Sequence, residues 1–180
     1  MPYSGGSGGT VLGSVSTVTG IAAAGQVVDA TSASAAAWAY PPGYEWSYTQ
    51  ITASVNVTGT AEGSATTVIS PAAFTPDGQP LVCLFGAIVK TPNNAAGDSI
   101  IVGLYEGASL VSRVGWGWTN VAGTAMFVQV LGHYRFTPTA AAHTYTIQAY
   151  VNTNTGTPQV VAGAGGSAAN PPAFVRFVKA

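Results

Sequence analysis

Residues 124–151 read TAMFVQVLGHYRFTPTAAAHTYTIQAYV, and this stretch decides the fold class. Two β-patterned runs, 125–136 and 143–151, flank a short turn at 137–140. In the second run His143, Tyr145, Ile147, Ala149 and Val151 fall on one face, and Thr144, Thr146, Gln148 and Tyr150 on the other. A period of two is the mark of a strand. The first run differs: Met126, Val128 and Val130 share one face, but Phe127 and Leu131 occupy the other. A strand that is apolar on both faces is covered on both sides. The pair reads as a hairpin, and the question it raises is what covers the second side.

Strand patterns continue on both sides of this pair. Residues 81–90 (LVCLFGAIVK) are apolar on both faces and predict a central strand. Residues 99–105 and 109–114 are separated by Glu106-Gly107-Ala108, a hairpin signature. Shorter strands are expected at 51–58, 66–70, 159–162 and 173–179. Pro76-Asp77-Gly78 is a turn: proline pre-sets φ, aspartate caps its own backbone and glycine supplies a positive φ. About nine or ten strands at regular spacing, with no firm helix, predict an antiparallel sandwich or barrel, and the number after residue 49 suits a jelly roll.

The N-terminal part reads as an arm. Residues 1–10 are Gly/Ser-rich and flexible, 10–19 alternate weakly as one strand, and the Ala-rich 20–38 predicts a short helix. Pro41-Pro42-Gly43 breaks the chain. The boundary is placed there, with an arm over 1–48 for attachment to a partner and a domain over 49–180. Tyr44, Trp46 and Tyr48, spaced two apart, are candidates for stapling arm to domain or partner.

Composition narrows the function. Of the 180 residues, 47% are hydrophobic and 6% are charged, with a net charge of −1. An ordinary soluble domain carries roughly 25% charged residues, so solubility rests on neutral polar groups, or much of the surface is covered in an assembly. Lys90, Arg113, Arg135, Arg176 and Lys179 are scattered, whereas a nucleic-acid surface needs them clustered. No stretch is apolar enough to predict a membrane span. The first ten residues show neither a basic nor an apolar signal region, so no secretion signal is expected. A single cysteine fits synthesis in a reducing cytoplasm.

Candidate chemistry is sparse. Cys83 sits among apolar neighbours with no base nearby, which predicts a buried structural thiol. His133 and His143 stand near opposite positions of the expected hairpin, but no third ligand is close, and packing is favoured over metal. Asp77 and Asp98 are explained by turns. No nucleophile elbow, phosphate loop or zinc signature is present, so neither an enzyme nor a cofactor is expected. Asn56-Val57-Thr58 matches a glycosylation sequon, a chance match without a secretion signal. Trp116 and Trp118, flanked by glycines, face one side of an extended backbone. They read either as a sugar-stacking platform or as core or interface packing.

Four segments carry a family resemblance: PLVCLFGAIVKTP (80–92), IIVGLYEGASLVSRV (100–114), RFTPTAAAHTYTIQAYV (135–151) and PPAFVRFVKA (171–180). Together they resemble the jelly-roll structural proteins of tailed-bacteriophage virions, with a domain similar to the trimeric tumour-necrosis-factor-like jelly roll. The resemblance implies a homotrimer on the virion, either a capsid decoration protein binding the major capsid protein or a tail or fibre tip binding host glycan or receptor. Phe127, Leu131, Tyr134 and Phe136 are then expected near the subunit contact.

Overall fold

The computed structural model describes residues 23–32, 35–167 and 169–180. Two compact units divide the chain, Met1–Tyr44 and Glu45–Ala180. In the first, β1 (Val27–Ser32) pairs antiparallel with β2 (Ala35–Ala39), Val27 opposite Ala39. A helix was the expectation over 20–38, and its described part is a β-hairpin instead. β-branched Val27, Val28 and Thr31 weaken a helix and suit a strand. The strand expected at 10–19 lies outside the described residues.

The second unit is all-β. Its strands are β3 (Glu45–Ile51), β4 (Val55–Asn56), β5 (Thr66–Ile69), β6 (Leu81–Lys90), β7 (Ser99–Glu106), β8 (Ser109–Trp118), β9 (Phe127–Phe136), β10 (Tyr145–Val151), β11 (Gln159–Val161) and β12 (Ala173–Lys179). One 3₁₀ turn spans Glu62–Ser64. The unit begins at Glu45, ahead of the expected boundary, because β3 is already paired to β12 along its length. The alternation expected over 51–58 is interrupted at 52–54, leaving β4 as a two-residue strand.

Two antiparallel sheets form the sandwich. One has the order β5-β10-β7-β8; the other runs β3-β12-β6, with β9 on the far side of β6 and the short β11 and β4 continuing beside it. Number the eight principal strands β3, β5, β6, β7, β8, β9, β10 and β12 from 1 to 8, and the sheets read 1-8-3-6 and 2-7-4-5. That is jelly-roll order, a long antiparallel ribbon rolled on itself.

This order corrects the reading of residues 124–151. β9 and β10 are not a hairpin. β9 pairs with β6, Leu81 opposite Phe136 and Lys90 opposite Phe127, while β10 pairs with β5 and β7 in the other sheet. The turn between them is a crossover from one sheet to the other. Such a connection has the same short, proline-containing sequence that a hairpin could use, so local pattern does not separate the two.

The core lies between the inner faces. β6 contributes Cys83, Phe85, Ala87 and Val89, and β12 contributes Ala173, Val175 and Phe177. Facing them are Ile100, Val102 and Leu104 of β7 and Tyr145, Ile147, Ala149 and Val151 of β10. At one end an aromatic cluster closes the sandwich: Phe74 lies 5.1 Å from Phe177, Tyr145 5.4 Å from Phe177, and Phe136 packs edge-on to Tyr145 at 5.3 Å. At the β8–β9 corner glycines let the two sheets converge. A Cβ on Gly132 would stand 1.7 Å from the Val114 carbonyl oxygen, and one on Gly115 would stand 2.1 Å from Val130 Cγ1.

Candidate functional site

Two surfaces stand out on the sandwich. The first is the outer face of the six-stranded sheet. β9 alternates cleanly: Val128, Val130, Tyr134 and Phe136 pack toward the core, and Phe127, Gln129, Leu131, His133 and Arg135 point out. Phe127 is 64% exposed and Leu131 73%. The four residues expected at a subunit contact therefore split. Phe127 and Leu131 are on the outer face, while Tyr134 and Phe136 belong to the inner aromatic layer, stacked on each other at 5.8 Å. The odd–even spacing of 127 and 131 against 134 and 136 carries that signal in the sequence.

Cross-strand register extends the apolar face. Gln50, Phe174, Gly86 and Leu131 form one row, and Tyr48, Arg176, Leu84 and His133 the next. Tyr48 stacks on Phe174 with centroids 6.0 Å apart. The Arg176 guanidinium pairs with Glu45 at 2.5 Å, so its charge is matched within the sheet. Leu84, Leu131, His133, Phe174 and Arg176 line a shallow depression there.

Tyr44, Trp46 and Tyr48 fall in two units. Tyr44 lies in the first unit, its ring 4.4 Å from that of Tyr40. Trp46 and Tyr48 share a strand but not a face. A bulge in the β3–β12 register, where Ser47 faces Phe177 and Glu45 faces Val178, turns Trp46 inward against Phe74 at 6.5 Å.

The second surface is the end of β8. Trp116 and Trp118 are 58% and 52% exposed. Their glycine neighbours explain why. A Cβ at Gly117 would stand 3.1 Å from Val89 Cγ2, and Gly115 faces Val130, so the inner side of the strand has no room for a side chain. Trp116 and Trp118, with Asn120, Met126 and Val128, line a concavity of about 160 Å³. Trp116 also borders a second hollow with Ser99, Ile101 and Arg113, and a third with Gln129 and Leu131.

The loop beyond β8 is fixed from beneath. The Met126 amide donates to Thr91 Oγ1 at 2.9 Å, and the Thr91 and Thr119 hydroxyls bond each other at 2.8 Å. The Thr119 hydroxyl donates in turn to the Pro92 carbonyl. Thr91 and Thr119 are fully buried, and such a chain of hydroxyls strengthens each member.

The two histidines are far apart in role. His133 sits exposed on the outer face opposite Leu84. His143 lies in the crossover: its Nδ1 is 2.5 Å from Glu106 Oε1, and its Nε2 is 3.1 Å from both the Thr139 hydroxyl and the Thr139 carbonyl oxygen. Hydroxyl, imidazole and carboxylate thus line up in the order of a nucleophile, base and orienter, an arrangement invisible at the sequence level because Glu106 comes from another strand. Nε2 lies equally near both Thr139 oxygens while Nδ1 meets the carboxylate, so the three groups together clamp the crossover. Among the described residues no group of three His, Cys, Asp or Glu side chains is placed to hold a metal ion.

Cys83 is buried in the core, and burial pushes its thiol up to about 12. Burial, with Glu62 and Tyr150 nearby, raises the Tyr105 hydroxyl to about 12, and burial with Glu106 does the same for Tyr145. Asp77 caps the Gln79 amide at 3.2 Å and holds Lys179 at 2.7 Å; Asp98 accepts from the Ala95 amide at 2.7 Å. Both aspartates are structural.

No family model matches the chain, and no curated protein matches it. Solved structures similar to it include the infectious bursal disease virus Gt strain, at 11% identity and a TM-score of 0.34, covering 80% of this chain and 40% of that one. The Gx strain of the same virus stands at 14% and 0.33, covering 79% and 40%. The VP2 subviral particle of that virus stands at 12% and 0.30, covering 86% and 42%. The chain spans about two fifths of the length of these structures.

Proposed function

We propose that this chain is a non-enzymatic virion structural protein: a homotrimeric capsid decoration protein, made in the host cytoplasm, that binds the major capsid protein and stabilises the phage head. One observation carries the reading, the apolar outer face of the six-stranded sheet. Phe127 and Leu131 lie bare on β9, and Tyr48, Phe174 and Leu84 continue the face across the sheet. Contact surfaces between subunits are rich in aromatic and aliphatic side chains and poor in unpaired charge. Permanent ones bury roughly 2,000–5,000 Å², which suits a chain with 6% charged residues. A fold alone does not specify a role; the virion placement rests on the four segments that resemble phage jelly-roll proteins. Stabilisation of a shell then follows by mass action, since a protein that binds only the assembled shell favours it.

Light scattering on purified protein tests the oligomer. The expected mass is three times the 18.0 kDa of one chain. Leu131→Asp is expected to give a folded monomer, because the residue lies outside the core of the single chain and only the subunit contact loses by the change. A wild-type monomer at micromolar concentration would refute the trimer. Co-sedimentation with empty heads lacking this chain tests the partner, and failure to pellet with them would refute the capsid assignment.

A further inference from the structure

We propose that the end of β8 is a binding site for neutral oligosaccharides, with Trp116 and Trp118 as its stacking surfaces. This goes beyond the decoration role, and its two stacking residues stand on β8 rather than among those invoked for the subunit contact, although one hollow beside Trp116 also borders Leu131. Single exposed apolar side chains are ordinary, but a contiguous set marks an interaction site. Here the exposure is built in. The inward positions beside the two indoles are glycines pressed on Val130 and Val89, so neither indole can turn in without pushing the sheets apart.

The surroundings select the ligand class. Trp116 forms a wall common to three shallow hollows. A chain of rings laid across an indole fits that relief better than one small, enclosed molecule. The polar groups within the hollows are uncharged amides and a hydroxyl: Asn120, Gln129 and Ser99. The cation present, Arg113, faces Glu62 at 3.6 Å, which leaves little net charge for an anionic ligand. A pyranose matches this chemistry, with a flat C–H face for the indole and hydroxyls for the amides. The platform is also pre-formed. The Thr91–Thr119 chain beneath it holds the 119–126 loop, so binding needs little ordering of the protein.

Titration of the full chain with chitotetraose, cellotetraose and maltotetraose, followed by tryptophan fluorescence, tests the site. At least one sugar is expected to give a saturable change at millimolar concentration. The change is expected to vanish in Trp116→Ala/Trp118→Ala and to weaken in Asn120→Ala, an exposed loop position that leaves the packing untouched. Both variants are expected to keep the wild-type mass by light scattering. No response to any of the three sugars, or a response that survives the double substitution, would overturn the proposal. A double variant of altered mass would overturn it too, because the indoles would then form a contact between proteins. Wild-type mass is read separately, so a failed trimer and a failed sugar site are distinguishable.

Discussion

Cys83 shows how much a single side chain can report here. Its thiol, ordinarily at 9.0, is pushed up to about 12 by burial; Tyr105 and Tyr145 rise from 10.0 to about 12 for the same main reason. The unfolded chain therefore loses these protons first. Between about pH 9 and pH 12 the folded state holds more protons, so stability is fully present below about pH 9 and falls as pH rises. The urea midpoint is expected to drop between pH 8 and pH 10.5, and to drop less in Cys83→Ala. Each fully shifted group contributes a slope of about 1.4 kcal/mol per pH unit. A flat midpoint across that range would contradict the buried thiol. The assignment of Cys83 to the core was legible from its apolar neighbours alone. So were the turn roles of Asp77 and Asp98, which depend on residues two or three positions away.

At the scale of elements, legibility follows the range of the interaction that decides each case. β6 and β12 show their strand pattern within ten residues or fewer and were placed correctly. The β7–β8 hairpin was also legible, because Gly107 marks its loop, although β8 runs on through Trp118. The β9–β10 connection was not, since whether two strands pair or cross depends on partners elsewhere, β6 for one and β5 and β7 for the other. The inward turn of Trp46 was hidden likewise, because the bulge is set by β12. The crossover has its own fastening in His143, which ties Glu106 at the end of β7 to Thr139 in the turn, while its backbone bridges Phe74. His143→Ala is expected to destabilise the fold by about 0.5–1.5 kcal/mol by removing its contacts to Thr139 and Glu106. Equilibrium urea unfolding measures this, and an unchanged midpoint would show that the clamp contributes nothing.

For the whole molecule, the division at Tyr44 and Glu45 sets where the chain can be cut. Removing residues 1–44 is expected to leave a cooperatively folding sandwich that is still trimeric but no longer pellets with heads. Removing 1–48 would take half of β3 with it and is expected to destabilise the fold itself. Normal pelleting of the 45–180 fragment would move the attachment surface from the arm to the sandwich. The nested order 1-8, 2-7, 3-6, 4-5 has a consequence in time as well as in space. β7 and β8 can pair as soon as both exist, but β3 must wait for β12. During synthesis the apolar strands 81–90 and 99–106 leave the ribosome long before residues 173–179 arrive to close the first sheet. Folds dominated by such distant pairings form in milliseconds to seconds rather than microseconds. The nascent chain thus passes through an interval in which its most apolar strands are open, until residues 173–179 close the roll.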